Sequence, residues 1–181
     1  MGPIELLYVT IGVIITLIGL ARGYVKELGS TLIILSALFL LTFFEDEILD
    51  GLQFIGCDIL NFGCSSALNG FYSLVFTTVF IAIVFAGYAG KTLTFRGTPV
   101  KQPGKFFLDI SVGALNGYLI AGTLWYYQDI FGYPLRGITG FQEPLTMQAQ
   151  RMIQYLPPNL FSNPVYWIVP VVILLIISVR G

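Results

Sequence analysis

The stretch ALNGFYSLVFTTVFIAIVFAGYAG, residues 67–90, contains no charged side chain. At 1.5 Å per residue a helix of this length reaches about 36 Å, enough to cross a hydrocarbon core of ~30 Å. In lipid, backbone N–H and C=O groups must bond within the segment, so a run of this kind is read as a membrane-spanning helix. Charge punctuates the chain on both sides of it. Residues 45–66 hold five acids (Glu45, Asp46, Glu47, Asp50, Asp58) and no base. Residues 91–105 hold four bases (Lys91, Arg96, Lys101, Lys105) and no acid, with Gly97, Pro99, Pro103 and Gly104 marking a loop.

Working outward, further apolar segments cover about 4–21, 28–44, 106–128 and 164–179, the last interrupted by Pro170, which should kink it. The whole chain of 181 residues is 56% hydrophobic and only 10% charged. A soluble domain carries about 25% charged residues, so lipid must cover much of this surface. The fold expected is all-α: a single polytopic membrane domain over residues 1–181, with about five transmembrane helices. An amphipathic helix is expected over about 144–156. Leu145, Ala149, Met152, Ile153 and Leu156 share one face, and Pro144 and Pro157-Pro158 bound the helix. It is too short to span and suits the headgroup region.

Lys and Arg set the orientation. With Arg22, Lys26, the 91–105 loop and Arg180 inside, only Arg136 and Arg151 of the nine bases lie outside. The N-terminus is then outside and the C-terminus cytoplasmic. Tyr8, Tyr72, Trp125, Tyr126, Tyr127, Tyr166 and Trp167 fall toward the outer ends, as an aromatic belt requires. Glu5 stands where a signal peptide would carry a base, and Leu6 where myristoylation wants Ser or Thr.

The chain contains no histidine and two cysteines, Cys57 and Cys64. A closed Cys/His zinc site, a histidine-ligated haem and a triad are excluded. No cofactor is expected. The net charge of −1 argues against nucleic-acid binding. Cys57 and Cys64 share the outer acidic loop, where a disulfide or two structural thiols would both fit.

Three sets of residues stand out. Gly12, Thr16, Gly19 and Gly23 form a small-residue face on the first helix; Gly113, Gly117 and Ala121 form one on the fourth. Such faces let backbones approach closely, either within the chain or against another subunit. Arg22, Lys26, Glu27 and Asp109 are charges at the inner edge. They would snorkel and anchor the helices, or Asp109 or Glu27 would pair with Arg22. With no charge mid-span, a proton relay is disfavoured. The polar residues available to line a pore, Asn69, Thr77, Thr78, Asn116 and Thr123, are sparse.

The stretch Gly19-Leu20-Ala21-Arg22-Gly23-Tyr24-Val25-Lys26-Glu27-Leu28 resembles the signature of colicin V production protein (CvpA-like) membrane proteins. In that family an apolar helix leads through Arg-Gly-aromatic-x-basic-Glu straight into a second helix. Leu108-Asp109-Ile110-Ser111-Val112-Gly113-Ala114-Leu115-Asn116-Gly117 is similar to the family's Asp-x-x-x-Gly-Ala-x-x-Gly opening of the fourth helix. The likeness covers roughly residues 4–156. The chain departs from the pattern in its added C-terminal span, and in Asn116 where the family often has a basic residue. The resemblance implies a bacterial inner-membrane protein linked to colicin V production and envelope homeostasis, with no reaction and no cofactor. The function expected is therefore non-catalytic association with lipid and other membrane subunits. The rival expectations are an accessory subunit of a respiratory, photosynthetic or secretion complex, and a channel or transporter.

Overall fold

A computed structural model describes residues 3–59, 66–89, 101–136 and 145–180. Among these residues the secondary structure is entirely helical. Helix α1 covers Ile4–Arg22, α2 Tyr24–Phe43 and α3 Glu45–Gln53, followed by a π-helical turn, Phe54–Ile59. Helix α4 covers Ser66–Ala89 and α5 Gly104–Ile130. Two short helices follow, α6 over Met147–Ile153 and α7 over Pro157–Leu160, and then α8 over Val165–Arg180.

Four helices, α1, α2, α4 and α5, are long and apolar enough to cross a membrane; α8, with 16 residues, is shorter. This is compatible with a multi-pass membrane protein. The outward surface is correspondingly apolar: Leu6, Val13 and Leu17 on α1 and Ile173, Ile176 and Val179 on α8 are all exposed.

The helices form one bundle in which α2 and α5 are central. Helix α1 runs antiparallel to α5, since Gly12 lies against Gly117 and Gly19 against Gly113. Helix α2 runs parallel to α5, because Tyr24 meets Asp109 and Thr31 meets Asn116. Helix α4 runs antiparallel to α5, with Ser73 bonded to Gln128 and Phe76 packed on Tyr127. The main core gathers Ile34, Ala37 and Leu38 of α2, Phe76 and Phe80 of α4, and Leu119 and Ile120 of α5, with Trp167 and Val171 of α8 added at its edge. A second core joins Ile4 and Tyr8 to Trp125, Tyr133, Ala149 and Leu156, with the Tyr8 and Trp125 rings stacked at 5.3 Å.

Several expected boundaries move. The charged stretch after the first helix is helix, apart from Gly23: α2 starts at Tyr24, four residues before the expected boundary. The acidic loop contains α3. Its apolar Ile48, Leu49 and Leu52 pack on the main core, while Glu45, Asp46 and Glu47 occupy the first turn, where the helix dipole favours negative charge. Burial, and then the neighbouring Asp46, push the Glu45 carboxyl above its ordinary range. The segment expected to be amphipathic holds a shorter helix, Met147–Ile153, with Leu145 and Leu156 outside it. Its N-cap is Thr146, whose hydroxyl accepts from the Ala149 N–H at 3.0 Å, and its chain turns at Gln154 to lead into α7. Ala149 and Leu156 are buried against protein in the second core. Pro144 lies outside the described residues.

Candidate functional site: a buried polar cluster at the α1–α2 turn

The two helices of the α1–α2 hairpin are separated by a single residue, Gly23, with φ +83° and ψ 151°. L side chains rarely adopt this backbone region, so the turn depends on glycine. The Gly23 N–H donates to the Gly19 carbonyl at 2.9 Å and closes α1. The first turn of α2 is completed from another helix. The Tyr24 N–H donates to Asp109 Oδ1 at 2.7 Å, and Lys105 Nζ holds Asp109 Oδ2 at 2.8 Å. Asp109 on α5 is thus a tertiary N-cap for α2, and at 4% exposure it is buried in that role.

Asp109→Ala is expected to cost about 1 kcal/mol, the usual value of a lost N-cap, whereas Asp109→Asn, which keeps an acceptor oxygen, should cost less. Denaturant titration in detergent checks the order of the two variants.

One turn further into the bundle lies Glu27, fully buried. Its Oε1 accepts from Arg22 Nη1 at 3.0 Å; its Oε2 accepts from Asn116 Nδ2 at 2.7 Å and from Tyr88 Oη at 3.0 Å. Arg22 Nη1 also reaches Ser30 Oγ at 3.2 Å, and its guanidinium lies 4.4 Å above the Tyr88 ring. Asn116 is bonded on both sides: its amide also donates to the Glu27 carbonyl at 3.1 Å, and its Oδ1 accepts from Thr31 Oγ1 at 2.7 Å. A buried carboxylate is tolerable only when paired and hydrogen-bonded, and here three donors from α1, α4 and α5 meet it.

The close approach that brings α5 to this cluster depends on the small-residue faces. A Cβ on Gly19 would stand 2.7 Å from the Gly113 Cα, and one on Gly113 would stand 2.9 Å from the Thr16 carbonyl. A Cβ on Gly117 would run into the Gly12 carbonyl and stand 2.8 Å from Thr16 Oγ1. Gly12 itself has room, since its nearest neighbour would be 3.5 Å away, and Ala121 is in ordinary contact with it. The Gly12–Thr16–Gly19 and Gly113–Gly117–Ala121 faces therefore meet each other within the chain.

The charges expected at the inner edge are divided by the structure. Arg22 pairs with Glu27, while Asp109 pairs with Lys105 and leaves Arg22 alone. Lys26 is exposed, as an anchoring base would be, but Glu27 is no snorkelling edge residue. The polar residues considered for a pore diverge. Asn116 serves the cluster, Thr123 donates to the Leu119 carbonyl of its own helix at 2.6 Å, the Thr77 hydroxyl is buried without a hydrogen-bond partner among the described residues, and Asn69 and Thr78 are exposed. The disulfide pairing of Cys57 falls partly on Cys64, which lies outside the described residues.

Sequence reasoning missed Ser30, Thr31, Tyr88 and Glu5 as polar partners. For Ser30 and Thr31 a signal existed, since they lie three and four residues after Glu27 on one helix face. Tyr88 carried none, because its role needs the α4–α2 contact. Glu5 is 7% exposed and accepts from Thr146 Oγ1 at 2.6 Å, tying the start of α1 to the cap of α6.

Compared with protein-family models, curated proteins and solved structures, the chain matches none.

Proposed function

We propose that this chain is a non-catalytic, CvpA-like inner-membrane protein that acts by helix–helix association with other membrane components. One observation supports the reading above others: the two stretches that carry the resemblance, 19–28 and 108–117, close on each other. Asp109 caps α2 behind Gly23, Gly113 seats Gly19, and Asn116 bonds Glu27. The departure at Asn116 fits the same scheme, because its amide supplies to Glu27 the donor that a basic residue would supply as charge. The site's polar groups are engaged in holding the bundle, which suits an architectural role. A water path would need Asn69, Thr77, Thr78, Asn116 and Thr123 along one face, and the exposure of Asn69 and Thr78 beside the buried Asn116 and Thr123 weighs against a channel.

In this reading α8 is a fifth span, the N-terminus is outside, the C-terminus cytoplasmic, and α6 lies at the outer headgroup level of a bacterial inner membrane. The test is gentle extraction from the native membrane followed by cross-linking and mass analysis. Stoichiometric membrane partners are the expected result, and the accessory-subunit reading would then give them their identity. A lone monomer without partners would overturn association as the mode of action.

A further inference from the structure

Helices α1 and α4 both pack on α5, and between them runs an apolar groove of about 350 Å³. Its walls include Ile11, Ile15 and Ile18 of α1 and Ile81 and Val84 of α4, with Ile120 of α5 as floor. On α1 the wall continues through the helical period to Arg22: positions 11, 15, 18 and 22 share one face. On α4 the groove ends at Tyr88, the ring over which the Arg22 guanidinium lies. From Ile11 to Arg22 the groove and its charged end extend about 16 Å, close to the depth of one leaflet.

Arg22, beside the groove's Tyr88, has donors to spare. Its Nη1 serves Glu27 and Ser30, while its Nε and Nη2 donate to no described residue, and its side chain is 20% exposed. A guanidinium carries five N–H donors in a planar fork suited to phosphate oxygens. The exposed Lys26, on the first turn of α2, adds positive charge at the same end.

We propose that this groove is a binding site for one anionic glycerophospholipid, with an acyl chain lying between α1 and α4 and its phosphate at Arg22. The all-apolar walls select a hydrocarbon chain, the Nε and Nη2 donors of Arg22 select phosphate oxygens, and Lys26, which pairs with no described acid, favours a headgroup of net negative charge. A partner helix would fill the walls but would leave the Nε and Nη2 donors of Arg22 without an acceptor.

The test uses the purified, delipidated full chain in detergent, titrated with dioleoyl-phosphatidylglycerol or dioleoyl-phosphatidylcholine and read by native mass spectrometry. One phosphatidylglycerol should be retained, about fivefold more tightly than phosphatidylcholine for one engaged basic residue. The double variant Ile18→Trp/Ile81→Trp narrows the groove at two half-exposed positions and should lose that retained lipid without shifting thermal unfolding. A second measurement needs no variant: phosphatidylglycerol with a photoactivatable acyl chain should label residues 11–18 and 80–88 of the wild type above the rest. Equal retention of the two lipids, even labelling, or a dimer that the Trp pair dissociates while lipid binding is unchanged would each overturn the proposal.

Discussion

Glu27→Ala is expected to lower bundle stability by about 3–5 kcal/mol, the cost of removing one partner from a buried charge pair. The physical reason lies in what stays behind. Arg22 would keep its charge with only Ser30 as a described hydrogen-bond partner, and the Asn116 amide and Tyr88 hydroxyl would lose the carboxylate they share. Those groups are held by three different helices, so the loss would not be confined to α2. Glu27→Gln should fall between wild type and Ala, because the amide oxygen still accepts one donor while the charge attraction to Arg22 is gone. The double variant Arg22→Leu/Glu27→Leu is the informative control. Replacing both members of a buried pair by apolar groups is often close to neutral, so it should be milder than Glu27→Ala alone. Thermal unfolding in a fixed detergent, followed by the fluorescence of Trp125 and Trp167, measures all of these. If Glu27→Ala unfolds at the wild-type temperature, the carboxylate is not part of what holds the helices together.

Gly117→Val should separate α1 from α5. The added Cβ meets backbone, the Gly12 carbonyl, and Thr16 Oγ1 at 2.8 Å, and Thr16 is itself fixed by donating to the Gly12 carbonyl at 2.8 Å. No flexible side-chain end can swing away, so the helix axes must move apart along the whole antiparallel contact. Overpacking of this kind costs about 1–3 kcal/mol, and here the upper end is expected because the obstacle is main chain. The contrast with Gly12→Ala makes the prediction specific. That Cβ would enter ordinary contact at 3.5 Å, and little loss should follow. A cysteine pair placed across the N-terminal end of α1 and the C-terminal end of α5 would cross-link readily in wild type and Gly12→Ala, and poorly in Gly117→Val. Equal cross-linking in all three would mean that the interface is looser than the Gly–carbonyl approach requires.

Much of this arrangement was legible in one dimension. The uncharged 67–90 run became α4 within one residue at either end, and the small-residue faces were visible because glycine spaced by four marks a close helix contact. The motif around Arg22 was readable as a turn between helices, and Asp109 was visible as an unusual acid at the start of an apolar helix. Their meaning was not. Asp109 and Tyr24 are 85 residues apart in sequence, and nothing local says that a carboxylate on α5 will cap α2. The reading of Glu27 as an edge charge followed from its place next to Arg22 and Lys26. Of the two expectations for it, anchoring at the edge or pairing with Arg22, the structure holds the pairing, and α5 comes close enough, through Gly113 and Gly117, to bring Asn116 over it as well. The amphipathic segment shows the same limit. Periodicity identified Leu145, Ala149, Met152, Ile153 and Leu156 as one face, but a periodic face does not say whether protein or lipid covers it, and in the structure Ile4, Tyr8 and Trp125 belong to the same core.

The sequence by itself determined that the described residues are helical and that four segments, those of α1, α2, α4 and α5, are apolar enough to cross a membrane. Both depend on quantities local to a segment: hydropathy summed over a run, and hydrogen bonds that close within four residues. Only the tertiary structure decided that Arg22 pairs with Glu27 and Asp109 with Lys105, that a glutamate is buried beneath an asparagine from another helix, and that a groove between α1 and α4 reaches the Tyr88 ring over which Arg22 lies. Those facts depend on how closely helices far apart in sequence approach one another, and that distance is set by the meeting of two glycine faces rather than by either face alone.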